Sequence, residues 1–383
     1  MSLLESTALR TLADVKSGGG APQDPAAFSD NGHPFVRAGS LSMLVAGGHE
    51  SSLEKISPSV AAAHGLKIFP AGTVLFAKSG MSATKGYIHQ LKMPAYVVNH
   101  LAALVPHDPR DGSFLCRALE RFSPTSLIRD QAYPSIRLGD IEGMELLAPR
   151  SIDCRVRIAA ILDKADALRR KRKRALELLD GLMQSVFQTE VDADWPTQNI
   201  GEICTVVRGS SPRPQGDPRY FGGPVPRLMI ADITRDGKYV TPCIDSLTVE
   251  GATKSRAMPS GSVVMAVSGA VGLPAILQAD ACIHDGFVGF RELSSEVLPS
   301  YLYEHLRANR SENQRLGAGA IWTNLTTDQV KAFQIPMPPL KMQQKLVARL
   351  SKVEGLAVIA RRGIDETDTL FTSLQHRAFA GQL

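Results

Sequence analysis

The chain repeats itself, and the repeat narrows the possible folds more than any other property of the sequence. Pro70-Ala-Gly-Thr-Val-Leu-Phe-Ala-Lys-Ser-Gly80 recurs 189 residues later as Pro259-Ser-Gly-Ser-Val-Val-Met-Ala-Val-Ser-Gly269. Each copy reads as a Pro/Gly turn, an apolar strand and a Ser-Gly turn. Gly86 and Gly272 open a second pair of similar strands, which end near Val97-Val98 and Ile283-His284. Tyr133-Pro-Ser-Ile-Arg-Leu-Gly-Asp140 parallels Trp322-Thr-Asn-Leu-Thr-Thr-Asp-Gln329. Both lead through an apolar strand (Met144–Leu147, Phe333–Ile335) to proline, Pro149 in one copy and Pro336, Pro338 and Pro339 in the other. The starts correspond more loosely: Gly18-Gly-Gly-Ala-Pro22 resembles Gly209-Ser-Ser-Pro212. Shared order at a nearly constant offset predicts two copies of one domain, for which 383 residues are ample.

A long helix follows each copy. Ile158, Ile161, Ala165, Leu168, Ala175, Leu179, Leu182 and Val186 recur mostly at three- and four-residue steps. So do Leu346, Leu350, Val353, Ala357, Ala360, Ile364, Phe371, Leu374 and Ala378. These are narrow stripes of coiled-coil type. Residues 152–188 as one helix would run roughly 55 Å at about 1.5 Å per residue. Such a helix with a narrow seam needs a partner, and the other long helix is the obvious one, antiparallel if a pseudo-twofold axis relates the copies. The expected fold is α+β, with two pseudo-twofold related domains joined by two long helices that form an antiparallel coiled coil. The expected boundaries are a first domain 1–150, a central helix 151–190, a second domain 191–339 and a C-terminal helix 340–383. Val191-Asp-Ala-Asp-Trp-Pro196 marks the start of the second copy.

Several classes of protein fall away on composition. No run approaches about 18 apolar residues, so no transmembrane helix is expected. The start, MSLLESTALRTLADV, lacks the basic-then-apolar pattern of a secretory signal. Five cysteines without a C-x-x-C pair, and nine histidines without metal spacing, predict neither zinc nor disulfides and fit a reducing cytoplasm. Net charge is +5, and the stretch from Arg150 to Glu190 alone carries ten Lys/Arg against six Asp/Glu. Within it, Arg169-Arg-Lys-Arg-Lys-Arg174 admits a salt-sensitive phosphate clamp, a nuclear-localisation tract, or a solvated or acid-facing helix surface. Six consecutive cations circle a helix, so they cannot all face one ligand.

Phe333-Gln-Ile-Pro-Met-Pro-Pro-Leu-Lys-Met-Gln-Gln-Lys-Leu346 resembles the strand, Pro-Pro-Leu and glutamine signature of type I restriction–modification specificity (S) subunits. Arg377-Ala-Phe-Ala-Gly-Gln-Leu383 is similar to the usual ending of that family. Asp194-Trp195-Pro196 with Ile200-Gly-Glu-Ile looks like the start of a target-recognition domain, and Arg157–Arg169 resembles the central conserved helix. The first copy departs from the pattern, reading Ala148-Pro149 and Arg155 where the second proline and the glutamine would stand. The resemblance implies two target-recognition domains, each reading half of a split double-stranded DNA target, with the helices setting the spacing. It also implies docking of methyltransferase subunits, typically two, and of a restriction-translocase subunit. S-adenosylmethionine, ATP and magnesium would belong to those partners, and this chain would be non-catalytic.

Two related domains on a stiff rod suit two half-sites about 34 Å apart. The candidate DNA-contacting residues lie in polar loops: Arg37, Ser40, Lys78, Ser79 and Lys85 in the first copy, and Arg208, Ser210, Arg213, Arg227, Arg235, Ser268 and Asn324 in the second. Arginine and asparagine suit bidentate contacts to guanine and adenine. For each, the competing reading is a solvated charge or turn residue. Ser79-Gly80 and Ser268-Gly269 lack a nucleophile-elbow context, and Gly18-Gly19-Gly20 lacks the Lys-Ser/Thr of a phosphate loop. Tyr133 and Trp322 read as half-buried packing at loop bases in preference to stacking on DNA. Neither an Asn-Pro-Pro-aromatic tetrapeptide nor a nuclease carboxylate-lysine set occurs. Two alternatives stay open: a coiled-coil interaction scaffold, and the recognition subunit of another bipartite system with a fused nuclease-methyltransferase partner.

Overall fold

A computed structural model describes residues 4–191, 195–311 and 324–383. The described chain forms two compact units, one of residues 1–174 with 361–383, the other of residues 175–360. The division runs through both long helices, Ile152–Glu190 and Leu340–Phe379. Each unit is therefore one globular domain plus a segment of each helix.

In the first unit an antiparallel sheet has the order Ala13–Ser17, Leu101–Pro106, Val74–Ala77, Ile88–Gln90. A second has the order Lys55–Ile56, His33–Val36, Ala95–Val97, Ile68–Phe69, with His33–Val36 parallel to Ala95–Val97. The second unit repeats this topology. Thr205–Arg208, Phe287–Arg291, Val263–Ala266 and Pro274–Leu277 follow the first order, with Tyr239–Val240 added at the edge. Asp245–Leu247, Phe221–Leu228, Ala281–Ile283 and Arg256–Met258 follow the second, with Phe221–Leu228 parallel to Ala281–Ile283.

The registers also correspond. Leu75 pairs with Ala103 and His89, and Val264 pairs with Gly289 and Ala275. The offset is 189 on the central strand and 186 on its neighbours, so the loop at 78–87 is three residues longer than its counterpart at 267–273. One expectation changes here. The segment from Gly86 to Val98 is not a single strand but two short ones, Ile88–Gln90 and Ala95–Val97, placed in different sheets. Pro94 ends any continuous ladder between them.

The central strands, Val74–Ala77 and Val263–Ala266, are buried throughout, which is why they read as unbroken apolar runs. Against one face of each sheet packs an amphipathic helix, Gly112–Arg121 or Pro299–Ala308. Beyond these lie the long helices. In the first unit Phe379 meets Phe114 and Phe122 at 6.0 and 5.4 Å between ring centres. In the second unit Phe187 meets Tyr301 at 6.2 Å. Each domain thus completes its core with an aromatic side chain from the last turns of a long helix, and the first domain draws it from the far end of the chain.

Within each unit the two helix segments run antiparallel: Arg169 bonds Asp368 in the first, and Arg349 bonds Glu190 in the second. On the C-terminal helix the inward positions are Gln343, Leu346, Leu350, Val353 and Ala357, then Ile364, Thr367, Phe371, Leu374 and Ala378, close to the expected stripe. On the central helix Ile158, Ala165 and Leu179 face inward as expected, but the seam moves by one residue at positions between and beyond them. Ile158, Leu162, Ala165, Arg169 and Arg172 face inward in the first unit, as do Leu176, Leu179, Met183 and Phe187 in the second. Leu168 and Leu182, expected inside, are 40% and 47% exposed.

The cause is the pair of arginines at seam positions. Arg172 reaches the carbonyl of Gly363, where the absence of a side chain leaves room for the guanidinium. Arg169 donates to Asp368 at 2.6 Å and lies 4.5 Å over the Phe371 ring. Arg170 pairs with Asp166 and Lys173 with Asp368. Much of the basic run is therefore engaged with carboxylates of the two helices. Among the described residues, no helix is long and apolar enough to cross a membrane.

Candidate nucleic-acid interface

In both units the loops after the first strand fold back onto the end of the strand pair that links the two sheets. In the first unit Gly18 N–H donates to Leu101 O (3.4 Å) and Gly19 N–H to Val97 O (2.9 Å). In the second, Gly209 N–H donates to Phe287 O (2.9 Å) and Ser210 N–H to Ile283 O (3.0 Å). A Cβ at Gly18 would overlap the carbonyls of Val97 and Val98, and one at Gly209 those of His284 and Ile283. Glycine is required there by close backbone approach. The loose sequence match at these turns thus marks one structural position.

The first-unit candidates divide by place. Arg37 follows the strand His33–Val36, lies 4.8 Å from the Phe28 ring, and pairs with Glu54 at 3.2 Å. Ser40 accepts from Arg37 N–H at 3.4 Å and begins the next helix. Lys78 and Ser79 lie across from His100: Lys78 N–H donates to His100 O at 2.9 Å, and Ser79 Oγ is 2.8 Å from His100 Nδ1. Arg37 and His100 line one open recess of about 380 Å³, with Gly20, Gln23 and Asn99 on its walls. Lys85 stands apart at the end of the short helical turn Met81–Lys85, exposed.

The second-unit candidates gather around one network, with Arg235 apart from it. Arg227 is buried, donates to Asp245 at 2.6 Å and to Ser211 Oγ at 2.9 Å, and leaves its Nε without a partner. Ser211 Oγ donates in turn to Asp285 at 2.8 Å, and Arg213 approaches the same carboxylate at 3.8 Å. These contacts hold the Asp285 carboxyl below the usual carboxylate range, the Ser211 hydrogen bond first among them. Burial lowers the His284 imidazole beside it, with the nearby Arg227 cation acting in the same direction. Arg208 donates to the carbonyls of Asp285 (2.6 Å) and Leu325 (2.9 Å), and Ser210 Oγ to Lys254 O (3.0 Å). Leu325 N–H meets Val267 O, which brings the neighbouring Asn324 and Ser268 alongside. Arg235 stands elsewhere, forked onto Asp236 and bonded to Thr241 O.

Tyr133 corrects an expectation. It is 82% exposed instead of half-buried, because the loop is tied down by its backbone, Gly80 N–H to Pro134 O, and needs no side-chain anchor. Its repeat counterpart Trp322 lies outside the described residues, as does Asp194 of the expected domain start. Sequence reasoning passed over Asn99 and Asp285 at the tips. The signal was present, since they directly follow the aligned Val97-Val98 and Ile283-His284.

The sequence profile of the type I restriction modification DNA specificity domain matches residues 192–366. Over that stretch, which is the second copy and most of the C-terminal helix, the chain is similar to type I specificity subunits. A putative type I restriction enzyme MjaX specificity subunit from Methanocaldococcus jannaschii is 22% identical over 247 residues, 59% of this chain. The match spans only about half the length of that relative, 56%. The crystal structure of a type I restriction–modification S subunit from M. genitalium superposes with TM-score 0.60 at 13% identity, covering 98% of this chain and 96% of that one. A chain from a structure describing complex assembly and conformational transition of a type I system gives TM-score 0.58 at 19% identity, covering 99% and 98%. At these identities the structures establish the fold.

The glutamine of the specificity-subunit signature has a visible purpose. Gln343 is fully buried, donates to Glu296 O (2.7 Å) and Pro338 O (2.9 Å), and accepts from Leu298 N–H (2.9 Å). It joins the start of the long helix to the turn before Pro299–Ala308. Arg155 takes this place in the first copy and donates to Pro149 O at 2.9 Å. Its charge is met by Asp111, at 2.7 and 2.8 Å. The departure from the family pattern is therefore a compensated exchange: a guanidinium and carboxylate replace an amide that needed no counter-charge.

Proposed function

We propose that this chain is the DNA-reading subunit of a type I modification complex, each unit reading one half of a split, asymmetric double-stranded target. The observation that carries the reading is two units of one topology and one register whose equivalent loop tips bear different side chains. Equal scaffolds with unequal tips suit two different half-sites. Backbone phosphates would be met by the exposed cations Lys85 and Arg213, and base edges by side chains at the tips. Arg208, Arg227 and Arg235 use their guanidinium groups inside the chain, which suits them to holding loops in place.

Methyltransferase subunits, two of them, would dock on the long helices, where Leu178, Leu182, Leu356 and Ile359 are 59%, 47%, 56% and 70% exposed. A restriction-translocase subunit would join the same assembly. S-adenosylmethionine, ATP and magnesium would act in those partners, and this chain would bind and position without catalysing.

The test is modification mapping in cells expressing the partner subunits, with and without this chain. Methylation on adenine at one split motif should depend on the chain, and unchanged methylation rejects the proposal. Replacing residues 1–150 with the equivalent domain of a relative should alter one half of the motif only. Such a chimaera must keep a seat for Phe379 beside position 114.

A further inference from the structure

In each unit a three-residue turn carries the chain from one sheet to the other. Val98-Asn99-His100 connects Ala95–Val97 to Leu101–Pro106, and His284-Asp285-Gly286 connects Ala281–Ile283 to Phe287–Arg291. The pairings Ala77 with Leu101 and Ala266 with Phe287 make Asn99 and Asp285 equivalent.

Both tips are fixed by the backbone. Asn99 N–H donates to Gly19 O at 2.8 Å, and Asn99 O accepts from Ser17 Oγ at 3.1 Å. Asp285 O accepts from Arg208 Nε at 2.6 Å. Ser17 and Arg208 end equivalent strands, so a hydroxyl and a guanidinium hold the same carbonyl in the two units. The side chains are treated differently. The Asp285 carboxylate is engaged by Ser211 and Arg213, whereas the exposed Asn99 carboxamide makes no hydrogen bond among the described residues. Asn99 faces the open recess shared with Gln23, Arg37 and His100. A carboxamide on a backbone held by two hydrogen bonds, on the same recess as Arg37 and with both its donor and acceptor free, is equipped for one base edge. It can donate to N7 and accept from N6 of adenine at once, which no other base permits in the major groove.

We infer that Asn99 reads an adenine in the half-site bound by the first unit. The inference rests on the DNA-reading role proposed above and goes further by naming residue, base and half. The equivalent carboxylate, Asp285, can only accept and is already held by Ser211 and Arg213, so the same turn does not read adenine in the second unit.

The experiment uses the full chain in its complex with methyltransferase subunits, after the wild-type motif has been mapped. Binding is measured at one fixed salt concentration on the mapped duplex and on duplexes with each specified base pair changed in turn. Asn99→Ala should bind the mapped duplex about 5- to 150-fold more weakly. It should accept all four bases at one A·T position of one half and keep wild-type discrimination elsewhere. Asn99→Asp, a residue this turn already carries in the second unit, should lose the same adenine preference with an unchanged thermal midpoint. Full discrimination retained by Asn99→Ala overturns the inference. So does a uniform weakening across all duplexes, or relaxation at a G·C position. A wild-type complex without sequence preference would instead sink the proposed function itself, a result distinguishable from any of these.

Discussion

Gly209→Ala isolates the close approach that builds the second unit's loop face. The glycine is not at positive φ, so alanine meets no backbone strain and the whole cost is contact. Its Cβ would overlap two backbone carbonyl oxygens, of His284 and Ile283, and neither can rotate away as a side-chain end could. Relief requires the loop to lift from the strand pair, which breaks the bonds from Gly209 to Phe287 and from Ser210 to Ile283. Two backbone hydrogen bonds contribute about 2 kcal/mol net. Residual overlap adds about 1–3 kcal/mol, in the range of overpacked sites. The smaller unfolded-state entropy of alanine offsets about 0.4–1 kcal/mol. The expected net destabilisation is roughly 3 kcal/mol.

Gly181 and Gly355 are controls with the opposite sign. Both sit within long helices, and a Cβ at either meets nothing within 4 Å. Alanine there should stabilise by about 1 kcal/mol through helix propensity alone. Urea denaturation with peptide-resolved hydrogen exchange reads the effects unit by unit. Gly209→Ala should reduce protection of Ala281–Ile283 and Phe287–Arg291 while leaving Val74–Ala77 untouched, and Gly18→Ala should do the converse. Gly209→Ala proteins as stable as wild type, or shifted in the same direction as Gly181→Ala, would refute the argument.

His305, buried under Phe187, has its imidazole held down to about 4 by burial, so the fold keeps it neutral while the unfolded chain protonates it near 6.5. The folded state binds fewer protons in that window, so stability of the second unit should fall by about 3 kcal/mol from pH 6.5 to 4. His305→Phe should flatten that slope in denaturation curves collected across the range; an unchanged slope would exonerate His305. Lys78 and Lys85 have no side-chain partner among the described residues. Replacing both with alanine should weaken binding evenly across sequences and reduce the salt slope by about 1 per lost phosphate contact, and a changed base preference would count against a phosphate role.

The signature glutamine and the swap at Arg155 show how far the sequence could be followed. Their alignment was legible from the proline runs, but the reason an arginine is tolerated was not, because Asp111 lies 44 residues away in the chain. The seam of the central helix was misplaced by one residue at Leu168 for a related reason. Apolar counting favours Leu168 over Arg169, and cannot register that Gly363 and Asp368 across the seam give the arginines their partners. Tyr133 followed the same logic in reverse: an aromatic at a loop base looks like an anchor until backbone bonds are found to do that job.

The sequence by itself determined the duplication, the two long helices and the strands at 74–77 and 263–266, because these depend on local periodicity and on order along the chain. Only the tertiary structure decided that the C-terminal end of the chain completes the first domain through Phe379, and that Asn99 is held rigid with a free side chain while Asp285 is engaged. Those outcomes depend on contacts between residues far apart in sequence. Such contacts are set by which backbones close upon one another, and the order of residues along the chain does not carry that information locally.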